Sequence, residues 1–128
     1  MTRLLQVLLV EDSQIAQLAT KMQLIKQGCA VEVAPDGACA IQKTLAQHFD
    51  FILMDIGLGE GPDGFEVTQS IKNQKKGMNL NTPVFAVTAH SEAGYLEKAK
   101  TLGIVRYYNK PFTLTNIMEI MGLIASRP

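Results

Sequence analysis

The sequence contains no tryptophan and only two cysteines, Cys29 and Cys39. Two thiols make no disulfide framework of the kind that staples small secreted domains, so each is read as a buried free thiol. Long apolar runs are missing as well. Val7 to Val10, Phe51 to Met54 and Val84 to Val87 fall far short of the roughly 20 residues a membrane span needs. The start, Met1-Thr2-Arg3-Leu4-Leu5, lacks the apolar core of a secretion signal, so cytoplasmic residence without membrane contact is expected. There is no excess of one charge: 12 Lys and Arg balance 12 Asp and Glu. The densest basic stretch, around Lys72, Lys75 and Lys76, is too thin for a nucleic-acid surface and is read as a solvated helix end. His48 is read as a surface residue. With no repeat, low-complexity segment or linker, residues 1–128 are read as one domain.

What remains is an ordinary globular composition, 47% hydrophobic and 19% charged. A chain of this size buries roughly two-thirds of its unfolded surface and needs no staples. The apolar runs alternate with segments of helical period. Strands are expected at Leu5–Val10, Ala30–Ala34, Phe51–Asp55, Pro83–Thr88 and Val105–Asn109. Between them, Ile15, Leu18, Ala19, Met22 and Ile25 recur at helical spacing after Ser13, a plausible N-cap, and Gly28 ends that helix. Asp36 caps a second helix with Ile41 and Leu45. Phe65–Lys72 forms a third, Ser91–Leu102 a fourth, and a fifth follows Thr113 with Ile117, Ile120, Met121 and Ile124 on one face. Alternating strands and helices predict an α/β fold with a parallel sheet covered on both sides. With right-handed crossovers, the leading arrangement is a flavodoxin-like, doubly wound sheet of five strands in the order 2-1-3-4-5 with five helices.

The informative residues follow the apolar runs. Strand one leads into Glu11-Asp12, strand three ends in Asp55, strand four in Thr88, and strand five in Asn109-Lys110. In a parallel sheet these ends share one rim, where open α/β sheets bind ligands at the reversal of strand order. Adjacent strands lie roughly 4.8 Å apart, so Glu11, Asp12 and Asp55 would crowd together and repel. A hard divalent cation relieves that repulsion; Mg²⁺ takes oxygen ligands and keeps waters for an incoming phosphate. A carboxylate can attack a phosphoryl group while a metal and a lysine neutralise its oxygens. Asp55, at the centre of the sheet, is the expected nucleophile. Glu11 and Asp12 are expected at the metal, and Lys110 and the Thr88 hydroxyl at the phosphoryl oxygens. Flavin binding would need a Ser-, Thr- and Gly-rich phosphate cradle after strand one, and an aspartate phosphatase an Asp-x-Asp pair; neither is there.

On these residues the chain resembles the receiver domains of bacterial two-component response regulators. The resemblance rests on Val10-Glu11-Asp12, Leu53-Met54-Asp55, Asp63-Gly64, Val87-Thr88-Ala89 and Lys110-Pro111-Phe112, in order along nearly the whole chain. It implies that Asp55 accepts a phosphoryl group from the phosphohistidine of a sensor kinase or phosphotransfer protein. Mg²⁺ would be held by Asp12, Asp55 and the Gly57 backbone carbonyl, with Glu11 acting through water. It implies a cis Lys110–Pro111 peptide, and a switch in which Thr88 moves toward the phosphate and Tyr107 turns inward. That switch would alter the face of helix four, strand five and helix five, where a downstream protein or a second copy would bind. No nucleic-acid contact is expected. The domain would be a phosphoacceptor promoting its own phosphorylation and dephosphorylation rather than an enzyme; excised from a hybrid sensor, its parent would be a histidine kinase. A stand-alone regulator and a hybrid-kinase receiver both remain open. So does a phosphorylation-independent interaction module, against which the intact Glu11, Asp12, Asp55, Thr88 and Lys110 argue.

Three departures stand out. Gly59 replaces the usual proline after the acceptor, and Asp63-Gly64 come one residue late. Val105-Arg106 replace a commonly acidic pair. His90, two residues after Thr88, is expected to set the lifetime of the phosphorylated state.

Overall fold

The computed structural model describes residues 3–59, 61–89 and 94–127. Strands β1 (Leu5–Val10), β2 (Cys29–Ala34), β3 (Phe51–Asp55), β4 (Val84–Thr88) and β5 (Arg106–Asn109) alternate with helices α1 (Gln14–Lys26), α2 (Gly37–Ala46), α3 (Gly64–Lys72), α4 (Tyr95–Thr101) and α5 (Leu114–Ala125). The strands form one parallel sheet in the order β2-β1-β3-β4-β5, as the alternation predicts. Among the described residues no helix is long and apolar enough to cross a membrane.

The period of two in a strand divides the core. Leu8, Val10, Ile52, Met54 and Ala86 face one way and pack with Phe65, Val67 and Ile71 of α3. Val7, Leu9, Phe51, Leu53 and Phe85 face the other way and pack with Leu24 of α1 and Ile117 and Ile120 of α5. The central strands β3 and β4 are buried along their whole length. This is why they read as unbroken apolar runs, whereas the edge strands β2 and β5 carry exposed positions. Helix starts follow the capping residues: Ser13, Asp36 and Thr113 accept from the backbone N–H three residues on. Asp63 and Glu66 form a reciprocal capping box at α3.

Several expectations need correction. Ile15, Leu18, Met22 and Ile25 are 85%, 62%, 52% and 51% exposed. Their regular spacing therefore marks the outer face of α1, while the smaller Ala16 and Thr20, with Leu24, lie toward the sheet. Helix α4 begins at Tyr95, after Gly94 in the left-handed region at φ 92°; Ser91 to Ala93 lie outside the described residues. β2 starts one residue earlier than expected, and β4 and β5 one later. Cys29 is buried and Cys39 only half-buried, and both are free thiols. Lys72 is no solvated helix end. It is half-buried, and its ammonium donates to the carbonyls of Leu80 (3.1 Å) and Thr82 (2.5 Å). Lys75, Lys76 and His48 are exposed.

The α3–β4 loop has its own polar anchor. The buried Asn79 amide accepts from Phe49 N–H (2.8 Å) and the Thr82 hydroxyl (2.9 Å), and donates to the carbonyls of Thr44 and Gln47 (2.8 Å each). Removing it orphans several buried groups. Asn79→Ala is expected to cost about 3 kcal/mol in urea unfolding, against less than about 0.5 kcal/mol for the exposed Asn81→Ala.

Candidate functional site

Parallel pairing brings the strand ends to one rim. Val10 pairs with Met54, so Glu11 stands beside Asp55, and β4 pairs Asp55 with Val87, one residue before Thr88. Thr88 pairs with Asn109, and Lys110 N–H donates to the Thr88 carbonyl at 2.7 Å. Carboxylate oxygens of Glu11, Asp12 and Asp55 lie within 4.8 Å of one another. Glu11 and Asp55 are buried and Asp12 is exposed. The Lys110 Nζ sits 3.3 Å from Glu11 Oε1 and 3.3 Å from Asp55 Oδ2. Lys110–Pro111 is a cis peptide.

The backbone holds two of the three acids. Ser13 N–H donates to Glu11 Oε2 at 3.1 Å, and Gly57 N–H donates to Asp55 Oδ1 at 3.1 Å. Asp12 has neither hydrogen-bond nor ion-pair partner among the described residues. Burial pushes the Glu11 carboxyl up to about 7; the Ser13 N–H opposes this, Asp55 adds to it, and Lys110 opposes it weakly. Burial alone would lower the Lys110 ammonium, but the charges of Asp55 and Glu11 outweigh it and hold it above its ordinary value. Three carboxylates at such spacing, one without a partner, offer oxygen donors of the kind that a hard divalent cation such as Mg²⁺ takes.

The sequence-predicted Glu11, Asp12, Asp55, Thr88 and Lys110 thus come together at one rim. Gly57 is there through its N–H. Tyr107 is half-buried and packs on the α3 side of the sheet. Tyr108 is buried on the other side, and its hydroxyl donates to Glu119 at 2.6 Å. Burial, then Glu119, push that hydroxyl well above the ordinary tyrosine range. His90 lies outside the described residues.

Sequence reasoning missed two supports. Ser13, read only as a cap, also fixes Glu11. At Gly64 a Cβ would lie 2.5 Å from the Asp55 carbonyl oxygen and 2.7 Å from Ile56 Cα. Only glycine lets α3 start that close to the end of β3, and Gly64 N–H donates to the Ile56 carbonyl at 2.9 Å. An Asp-Gly pair is a visible turn signal, but the close approach is not. Beneath the acids lies a cavity of about 230 Å³, walled by Leu9, Ala16, Leu53, Val87 and Phe112.

Residues 7–122 match the family model of the response regulator receiver domain, and the chain belongs to that family. It is 33% identical over 110 residues to the sensor protein EvgS of Escherichia coli (strain K12), covering 86% of this chain and 9% of that protein. It is 30% identical over 122 residues to the sensor histidine kinase AruS of Pseudomonas aeruginosa, covering 95% of this chain and 12% of that protein. The chain therefore spans only about a tenth of the length of these relatives. Among solved structures, the receiver domain of sensor histidine kinase PA1611 from Pseudomonas aeruginosa PAO1 superposes with a TM-score of 0.84 at 31% identity, covering 96% of this chain and 99% of that one. That structure has a magnesium ion coordinated in its active-site cleft.

The raised Glu11 carboxyl fixes the sign of a pH dependence. Between its ordinary value near 4.5 and its folded value of about 7, the folded metal-free protein holds a proton that the unfolded chain has released. Stability in EDTA should therefore fall as pH rises through that window. Glu11→Gln should flatten this slope in urea titrations. Mg²⁺ binding, which competes with the proton, should tighten over the same range. A slope unchanged by Glu11→Gln would place the titration elsewhere.

Proposed function

We propose that the chain is a magnesium-dependent phosphoacceptor of a phosphorelay, with Asp55 receiving the phosphoryl group. The observation that carries this reading is the meeting of three carboxylates and one ammonium at the switch point of the sheet. It is not an enzyme acting on a diffusible substrate, although it promotes its own phosphorylation and dephosphorylation.

Asp12 and Asp55, with the Gly57 carbonyl, would hold the cation, and Glu11 would reach it through water. Bound there, magnesium supplies positive charge to the phosphoryl oxygens. Asp55 Oδ attacks phosphorus, the bond from phosphorus to the donor imidazole nitrogen breaks, and the imidazole leaves with that electron pair. Lys110, already 3.3 Å from Asp55 Oδ2, moves from the carboxylate to a phosphoryl oxygen. The Thr88 hydroxyl donates to another. His90 is assigned to hydrolysis of the mixed anhydride.

The donor is a phosphohistidine on a sensor kinase or phosphotransfer protein, the class to which EvgS and AruS point. The exposed row Ile15, Leu18, Met22, Ile25 begins beside the acidic rim, so a donor presenting its histidine to Asp55 would cover it. Phosphorylation adds about −1.5 to −2 charges. Thr88 is drawn in, and Tyr107 turns. Tyr108 stays, fixed by Glu119. The face of α4, β5 and α5, where Arg106 Nε and Glu119 Oε1 stand 3.8 Å apart, changes for a downstream partner or second copy.

Acetyl phosphate with Mg²⁺ should add one phosphoryl group to the wild type and none to Asp55→Asn by intact mass. A group found on another residue contradicts the assignment. Leu18→Ser should leave acetyl phosphate labelling unchanged while slowing transfer from the protein donor by about tenfold or more.

A further inference from the structure

The β3–α3 loop carries two glycines in the left-handed region, Gly59 at φ 75° and Gly61 at φ 87°. They differ in what surrounds them. A Cβ at Gly61 would meet nothing within 4 Å, whereas a Cβ at Gly59 would stand 3.2 Å from Asp12 Oδ2. Asp12 is also the one carboxylate of the three with no hydrogen-bond or ion-pair partner among the described residues. Glu11 is held by Ser13 and Lys110, and Asp55 by Gly57 and Lys110. A side chain at Gly59 would therefore crowd the one carboxylate of the three that nothing else among the described residues holds.

We propose that Gly59 is a positioning residue for the cation: its left-handed, side-chain-free backbone lets the loop close on Asp12 and sets where that carboxylate stands as a ligand. The inference rests on the magnesium-dependent reading of the site. Mg²⁺ demands near-octahedral geometry with bonds of about 2.0–2.1 Å. A carbon 3.2 Å from Oδ2 would force the carboxylate to yield by a few tenths of an ångström. In the metal-free protein the exposed Asp12 yields at little cost. Once Asp12 ligates a cation it cannot, so the added carbon weakens the metal-bound state selectively. The proline usual at this point of the family loop cannot adopt φ 75°, because its ring fixes φ near about −65°. The loop in this chain thus follows a path that glycine permits.

Gly61 provides the matched control, since alanine there suffers the same backbone strain without approaching Asp12. Mg²⁺ affinity is measured by calorimetry for wild type, Gly59→Ala and Gly61→Ala, with urea midpoints in EDTA. Both variants should lose similar stability. Gly59→Ala should weaken Mg²⁺ by about tenfold, and Gly61→Ala by less than about twofold. Equal affinities for the two variants would overturn the inference. A wild type that binds no Mg²⁺ would instead overturn the phosphoacceptor reading on which it rests.

Discussion

The gathering of Glu11, Asp12 and Asp55 within 4.8 Å of one another at one rim is the constraint around which this site is arranged. Left to themselves, like charges at this spacing would separate or take up protons. Here they can do neither freely. Glu11 and Asp55 extend from neighbouring central strands whose register is fixed by apolar residues on both faces. One ammonium, Lys110, arrives from beyond β5 and stands equally far from two of them. Burial, with the neighbouring Asp55 adding to it, raises the Glu11 carboxyl. A bound hard divalent cation would offset the crowding of these carboxylates. The stability of the two apolar layers holds the charges in place.

The same division of labour explains α1. Its large apolar residues point outward, and smaller residues face the sheet beside the cavity under the acids. For stability alone this is poor use of Ile15, Leu18 and Met22. It makes sense if another protein completes the surface beside the acceptor, and it places recognition next to chemistry. On the opposite side of the sheet, α3 and the β3–α3 loop do different work. Gly64 brings α3 against the end of β3, and Gly59 brings the loop against Asp12.

The fold was legible because buried parallel strands announce themselves as apolar runs of similar length, each followed by polar residues. The strand order followed from chain-crossing rules, and the site from asking which polar residues share the rim. Other features were not legible, for physical reasons. Helical period reveals a stripe but not its direction, so the regular row on α1 gave no sign that it faced solvent. Lys72 looked like any basic helix end, because only the fold brings the Leu80 and Thr82 carbonyls to its ammonium. Helix α4 follows Gly94, whose left-handed backbone is a feature that the apolar period of the segment does not display. The tight approaches at Gly59 and Gly64 are tertiary facts with no local signature. Tyr107 and Tyr108 are alike in composition, and only the fold shows that they pack on opposite faces of the sheet.

The most direct measurement is a crystal structure of the protein grown with Mg²⁺ and beryllofluoride, a stable mimic of the bound phosphoryl group. The account predicts beryllofluoride on an Asp55 oxygen, the cation bound by Asp12 and Asp55, and Lys110 and Thr88 turned toward the fluorines. Beryllofluoride on a different residue, or a cation bound away from Asp12 and Asp55, would contradict it.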